Sequence, residues 1–110
     1  MIKIFKTFGG YVEINDLQKG CWINTTNPSK EEIQKLNSKF GLPTDLINDI
    51  LDQDERPRIE FDDDWTLIIF RIPVKVKYSG VPFHTIPLGI FITENFTLTL
   101  CLQDNEILPI

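Results

Sequence analysis

Residues 65–102 read WTLIIFRIPVKVKYSGVPFHTIPLGIFITENFTLTLCL, and this stretch decides the class of fold. It is rich in β-branched and aromatic side chains, which favour extended backbone, and turn residues interrupt it at Glu94 and Asn95. A run of aspartates at 62–64 supplies an earlier turn. The pattern predicts a meander of four strands over residues 58–61, 65–76, 84–93 and 96–102.

Two of these predicted strands are apolar on both faces. Residues 65–72 and 88–92 contain mostly apolar side chains, where a half-exposed strand would alternate polar and apolar positions. Strands of this kind are normally covered on both sides of the sheet. The sequence predicts only two short helices, within residues 27–41 and 43–51, and these can cover only one face of the sheet. We therefore expect the chain to be part of a longer protein or to need a partner.

The N-terminal residues predict a hairpin and one further strand. Residues 2–8, IKIFKTF, have strand character, and Gly9-Gly10 suits a tight turn because glycine tolerates positive φ. Residues 11–14 are the expected partner strand. Gly20 then opens a short strand over residues 21–23.

A helix is predicted to begin near residues 27–29. Asn27 or Ser29 can cap it, Pro28 suits a first turn, and Ser29 with Glu32 forms a capping-box pattern. Gly41 is expected to end the helix in the left-handed conformation. Its apolar side chains recur at helical spacing: Ile33, Leu36 and Phe40.

A second, shorter helix is predicted over residues 43–51. Its apolar stripe consists of Leu46, Ile47, Ile50 and Leu51. Asp45 and Asp49 lie four residues apart, so both carboxylates should face the opposite side of this helix.

These elements together predict an α+β fold, an incomplete layered domain of the α/β/α type. The sheet should be mixed but mostly antiparallel, with two short helices on one face. The length of 110 residues is that of one domain, so we expect a single domain over residues 1–110.

Charge and hydropathy exclude several classes of partner. Eleven Lys and Arg against sixteen Asp and Glu give a net charge of −5. This balance argues against nucleic acid and against an anionic membrane surface, since both attract basic proteins. No window approaches the roughly 20 apolar residues of a membrane span, and the N-terminus does not resemble a secretion signal. We therefore expect the chain as given to be soluble.

The residue types needed for catalysis are sparse. The sequence has one histidine, His84, and no nucleophile motif such as GxSxG with which it could form a catalytic triad. No glycine-rich phosphate loop is present. Cys21 and Cys101 are 80 positions apart without metal-ligand spacing. A single disulfide between them is the alternative, and we interpret them as buried free thiols of a reducing compartment. The sequence predicts a protein that is not an enzyme and requires no cofactor.

The acidic stretch from residue 45 to residue 64 is the one feature of the sequence that suggests a chemical role. It contains nine acidic residues and only two basic ones, Arg56 and Arg58. Carboxylate oxygens suit Mg²⁺, which takes one or two of them and keeps several waters. The alternative is a solvated acidic surface in which the two arginines pair with neighbouring carboxylates. The residues alone leave both interpretations open.

Four short motifs in a fixed order resemble one known family. They are Trp22-Ile23-Asn24, Phe40-Gly41-Leu42, Asp49-Ile50-Leu51 and Arg56-Pro57-Arg58. With the strands that follow, residues 20–102 resemble the N-terminal cytoplasmic domain of the CorA family of Mg²⁺/Co²⁺ transporters. No single motif is diagnostic, but the order and spacing together are specific.

The resemblance implies a longer parent protein. CorA transporters are homopentamers in the inner (plasma) membrane, with a cytoplasmic domain, a stalk helix and two membrane helices joined after a Gly-Met-Asn motif. This sequence contains neither the stalk nor the membrane helices. It therefore corresponds to a soluble cytoplasmic portion that reaches the membrane only through such helices. The transported and regulatory ion would be Mg²⁺ or Co²⁺, and the sequence does not say which.

The resemblance also implies a regulatory metal ligand. The family places a cation ligand at the position of Asp49, and another subunit completes that site. Some members have an acidic residue directly before it, where this sequence has Asn48, so a second site is in doubt. Asp45 and Asp52 are possible additional ligands, without support from the family. The alternative function is a freestanding acidic protein-interaction module with no transport role. The uncovered apolar sheet face predicts that the chain alone dimerises or exchanges a strand with another copy.

Overall fold

The computed structural model describes residues 1–6, 12–75 and 83–103, and over these residues the chain forms one mixed sheet and two helices. The elements in chain order are β1 Ile2–Lys6, β2 Val12–Ile14, β3 Cys21–Thr26, α1 Lys30–Ser38, α2 Thr44–Ile50, β4 Arg58–Phe61, β5 Trp65–Lys75, β6 Phe83–Thr93 and β7 Phe96–Cys101. The predicted α+β class is confirmed. The predicted strands and helices all form, with small differences at their ends.

The strands lie in the order β2-β1-β3-β7-β6-β5-β4. The predicted meander of β4 to β7 is confirmed, and so is the antiparallel pairing of β1 with β2. The predicted Gly9-Gly10 turn lies outside the described residues. Only β3 and β7 pair in parallel among the described strands, with Cys21 opposite Phe96. This pairing joins the N-terminal hairpin to the meander, and it makes the sheet mixed but mostly antiparallel, as predicted.

Helix α1 begins at the predicted capping box. The Ser29 Oγ accepts a hydrogen bond from the Glu32 amide at 3.2 Å, and the Glu32 Oε1 accepts one from the Ser29 amide at 3.0 Å. This second bond is the main reason why the pKa of the Glu32 carboxyl lies below its usual value. Asn27 is not the cap: its φ of 44° is left-handed, and Pro28 therefore precedes the cap instead of lying in the first turn.

The end of α1 also follows the sequence prediction. Gly41 has a φ of 75°, and the amide of Leu42 reaches back to the Leu36 carbonyl at 3.1 Å. The regular helix stops at Ser38, yet Phe40 remains buried. The left-handed glycine thus turns the chain so that Phe40 and Leu42 both reach the core.

The main core lies between the two helices and one face of the sheet. The apolar stripe predicted for α2 is buried there, with Ile47 and Ile50 fully inaccessible. Every second residue of the central strands points towards the helices and packs against them. The strand members of this core include Ile4, Ile23, Leu67, Ile69, Phe91, Phe96, Leu98 and Leu100.

The opposite face of the sheet is buried only in part. A second apolar cluster fills the region where β5, β6 and β7 adjoin, with the members Ile72, Val74, Ile86, Leu88 and Cys101. Towards the β4 edge, side chains on this face are accessible: Ile59 is 61 %, Phe61 74 % and Ile92 38 % exposed. The prediction of an uncovered sheet face is therefore confirmed for the β4 side.

Cys21 and Cys101 are buried and are not joined in a disulfide, as the sequence analysis expected. Cys21 belongs to the main core and Cys101 to the second cluster. Both thiols therefore fill small positions in apolar surroundings on opposite faces of the sheet, and the Cys101 Sγ also donates a weak hydrogen bond to the Pro87 carbonyl oxygen at 3.6 Å.

Neither helix of the described ranges has the dimensions of a membrane span. Helix α1 has 9 residues and α2 has 7, whereas a span needs about 20. The described part of the chain therefore contains no helix long and apolar enough to cross a bilayer.

Candidate functional site

One arginine organises the acidic stretch. Arg58 donates hydrogen bonds from three different nitrogens to three different carboxylates. Its Nη2 lies 2.7 Å from the Asp49 Oδ2, its Nε lies 3.3 Å from the Glu60 Oε2, and its Nη1 bonds the Glu55 Oε1. The Asp49 side chain remains 41 % exposed, so the cluster is a surface feature reachable from solvent.

The sheet register and α2 bring these groups together. Arg58 lies opposite Ile69 and Glu60 opposite Leu67, so both side chains project from β4 towards the helix-bearing face. Asp49 lies in the last turn of α2, which packs over that same face. The site therefore depends on where α2 rests on the sheet.

A glycine in β6 sets the position of α2. A side-chain carbon added at Gly89 would lie 2.5 Å from the Ile50 Cδ1 and 2.7 Å from its Cγ1. Ile50, the neighbour of Asp49, thus occupies the space that any other residue at position 89 would fill. This role of Gly89 was not predicted from the sequence, although a glycine within an apolar strand is a recognised signal of close approach.

A second arginine holds the loop between α2 and β4. The Arg71 Nη1 donates to the Glu55 carbonyl oxygen at 2.8 Å. Its other nitrogens bond Thr85 on the neighbouring strand, with the Nε 2.9 Å from the Thr85 Oγ1. The sequence analysis did not single out Arg71. A charged residue within the run WTLIIFRIPV was the available signal.

The electrostatics of the cluster follow from these contacts. The hydrogen bond that Arg58 donates to Asp49, together with the charges of Glu55 and Asp49, raises the pKa of the Arg58 guanidinium. Arg58 is therefore a permanent cation among three carboxylates. The predicted local pairing is confirmed for Arg58, whereas Arg56 makes no ion pair within the described part of the chain.

The structure places the other two acidic candidates apart from this cluster. Asp45 is exposed in the first turn of α2, and Asp52 accepts a hydrogen bond from the Asp54 amide at 2.9 Å. Among the residues that the structure describes, no three acidic, histidine or cysteine side chains form a group that could hold a metal ion.

The remaining aspartates of the acidic stretch line an open cleft at the other end of the sheet. The cleft has a volume of about 740 Å³ and lies between the end of α1 and the two turns at residues 62–64 and 94–95. Aromatic side chains contribute to its walls, and the three aspartates are exposed. Its acidic side chains fit the interpretation of a solvated surface. The aromatic lining residues are Phe40, Trp65, Phe91 and Phe96.

Comparison with protein families gives a match along most of the chain. Residues 18–109 match the family described as CorA-like Mg²⁺ transporter protein. The cobalt/magnesium transport protein CorA of Methanocaldococcus jannaschii is 37 % identical over 79 residues. These residues are 72 % of this chain but only 24 % of that relative, so the chain spans about a quarter of its length.

Solved structures show the same fold. The soluble domain of CorA from Methanocaldococcus jannaschii matches with a TM-score of 0.76 and 28 % identity, over 97 % of this chain and 42 % of that one. The ZntB cytoplasmic domain from Vibrio parahaemolyticus matches with a TM-score of 0.70 over 94 % of this chain and 44 % of that one. Its identity is 13 %, so this second likeness concerns the fold alone.

Proposed function

This chain belongs to the CorA-like Mg²⁺ transporter protein family, and on that premise we propose that it senses divalent cations as the N-terminal part of a transporter's cytoplasmic domain. The observation that carries the proposal is the position of Asp49. Its carboxylate lies on the surface at the end of α2, partly exposed, where a second protein chain can reach it. Mg²⁺ or Co²⁺ would be both the transported and the regulatory ion.

The donor chemistry of Asp49 fits this role in part. A carboxylate oxygen is a ligand that Mg²⁺ prefers, and Mg²⁺ commonly takes only one or two such groups. Asp49 supplies one such carboxylate, and we assign the further ligands to a neighbouring subunit of a homopentamer. A cation between subunits offsets the repulsion of their carboxylates, and its loss favours their separation.

The proposal assigns transport itself to other parts of the protein. The curated relative is about four times as long as the matched part, since the chain covers 24 % of it. In this proposal the pore and the membrane helices lie in the remaining sequence. The present residues form a domain on the cytoplasmic side and perform no catalysis.

The experiment is a substitution in the full-length transporter that carries this domain. We expect Asp49→Asn to weaken feedback, so that Mg²⁺ uptake continues at internal concentrations that stop the native protein. Asp63→Asn is the matched control, because it removes the same charge from an exposed residue outside the Arg58 cluster. Uptake that stops at the same internal Mg²⁺ in the native and Asp49→Asn proteins would remove Asp49 from the mechanism.

The exposed apolar side chains of β4 predict that the chain alone associates with itself. Ile59 and Phe61 lie on an edge strand of the described sheet, and edge strands with exposed apolar residues tend to pair with other chains. We expect sedimentation velocity to show dimers or larger species at micromolar concentration. The double variant I59T/F61S should shift the population to monomer, whereas a native chain that is already monomeric would contradict the prediction.

The same exposed side chains are the observation that favours the alternative function. A freestanding interaction module would use Ile59 and Phe61 to bind a partner protein. An immunoblot of fractionated cells separates the two functions. A membrane band much heavier than 12.8 kDa supports the transporter domain, and a band of 12.8 kDa in the supernatant supports the module.

A further inference from the structure

We propose that Arg58 is an internal counter-ion that competes with divalent cations for Asp49 and thereby raises the cation concentration at which the domain responds. This inference rests on the proposed function, since it concerns the regulation of the same carboxylate. It goes further by assigning the threshold of the response to a residue that contacts no cation.

The geometry supports direct competition. The Arg58 Nη2 lies 2.7 Å from the Asp49 Oδ2, within the range of a strong charge-assisted hydrogen bond. A guanidinium at that distance uses one carboxylate oxygen and places a positive charge beside the other. A divalent cation that approaches Asp49 therefore finds one carboxylate oxygen already hydrogen-bonded, and it is repelled by the positive charge of the Arg58 guanidinium.

The cluster also gives the guanidinium other partners. Glu55 and Glu60 bond its Nη1 and Nε, so Arg58 keeps two carboxylates when Asp49 turns to another cation. Loss of the Asp49 contact therefore does not leave the arginine unpaired. The exchange is reversible, as a threshold requires.

The backbone around the cluster is held without Arg58. Arg71 bonds the carbonyl of Glu55, and the contact of Ile50 with Gly89 positions the end of α2. Glu60 is fixed by the pairing of β4 with β5. Removing the Arg58 side chain should thus leave Asp49 in place without its counter-ion, which raises the affinity of its carboxylate for a divalent cation.

The test compares two arginine variants of the purified full-length protein that carries this domain, in which a neighbouring subunit can supply the further ligands. Isothermal titration with CoCl₂ or MgCl₂ should show that R58Q binds about tenfold more tightly than the native protein, a change expected from removing one adjacent charge. R56Q is the matched control, since it removes the same charge two residues away, and we expect its affinity to remain within about twofold of native. Adding D49N to R58Q should abolish most of the gain.

Equal cation affinities of R58Q and R56Q would overturn the proposal, as would a gain that survives D49N. Far-UV circular dichroism checks that R58Q folds. If it does not, R58K decides: lysine keeps the charge, but its ammonium lacks the planar fork that spreads the donors of the guanidinium over three nitrogens. It should therefore hold Asp49 less firmly, so the cation affinity of R58K should exceed that of the native protein, and an unchanged affinity overturns the proposal. These outcomes are independent of uptake, so a failure of the Asp49→Asn uptake experiment concerns the proposed function instead.

Discussion

Replacing Phe91 by alanine is expected to lower the free energy of unfolding by about 3–5 kcal/mol, the largest effect of any single change considered for this chain. Phe91 is 2 % exposed and lies on the helix-bearing face of the sheet. Its ring centroid is 5.5 Å from that of Trp65 and 6.5 Å from that of Phe96. Truncation therefore removes buried apolar area and leaves a cavity bordered by rigid aromatic rings.

At a protein concentration at which sedimentation shows the chain to be monomeric, Phe61→Ala is the matched control for Phe91→Ala. It removes the same atoms from a side chain that is 74 % exposed, so its effect should stay within about 0.5 kcal/mol. Urea unfolding, followed by tryptophan fluorescence, measures both variants, since Trp22 and Trp65 report on the sheet. Equal decreases in the free energy of unfolding of the two variants would contradict the assignment of the core to the helix-bearing face.

Gly89→Ala should lower the free energy of unfolding by about 1–3 kcal/mol through overpacking. The added methyl group would meet the Ile50 Cδ1 at 2.5 Å and its Cγ1 at 2.7 Å, so the Ile50 side chain must change its conformation or α2 must move away from β6. Because Asp49 precedes Ile50 on that helix, a movement of α2 should also weaken the Asp49–Arg58 ion pair. The measurement is again the urea midpoint, at equal protein concentration.

A second substitution distinguishes overpacking from other effects of alanine. Ile50→Ala removes the atoms that the new methyl group meets, so its cost should be smaller by about 1 kcal/mol in the Gly89→Ala background than in the native chain. Gly20→Ala is the control: its cost arises from a φ of 81° with open space around it, and Ile50→Ala should not relieve it. Strictly additive effects of Gly89→Ala and Ile50→Ala would refute the packing explanation.

The local features of the fold were predictable from the sequence. The strands of the meander end at the turn residues that the sequence shows, and the capping box at Ser29 involves residues only three positions apart. The parallel pairing of β3 with β7 was not predicted, because it joins Cys21 to Phe96 across most of the chain. No local pattern marks a contact between residues so far apart, and packing of the whole sheet decides it.

The candidate site was predictable in its residues but not in its arrangement. Asp49 stood out by its place in a family motif, and Arg58 by its acidic surroundings. The three contacts of the Arg58 guanidinium, with Asp49, Glu55 and Glu60, depend on the register of β4 and on the position of α2. Both follow from tertiary contacts, and for that reason Gly89 and Arg71 were missed as well.

The most direct test of the central claim is Mg²⁺ binding to the purified full-length protein that carries this domain. We expect isothermal titration of the native protein to show a class of sites that Asp49→Asn removes, while Asp63→Asn retains it. That result would place Asp49 among the ligands of a regulatory cation. Equal numbers of sites and equal affinities in the native and Asp49→Asn proteins would contradict the account.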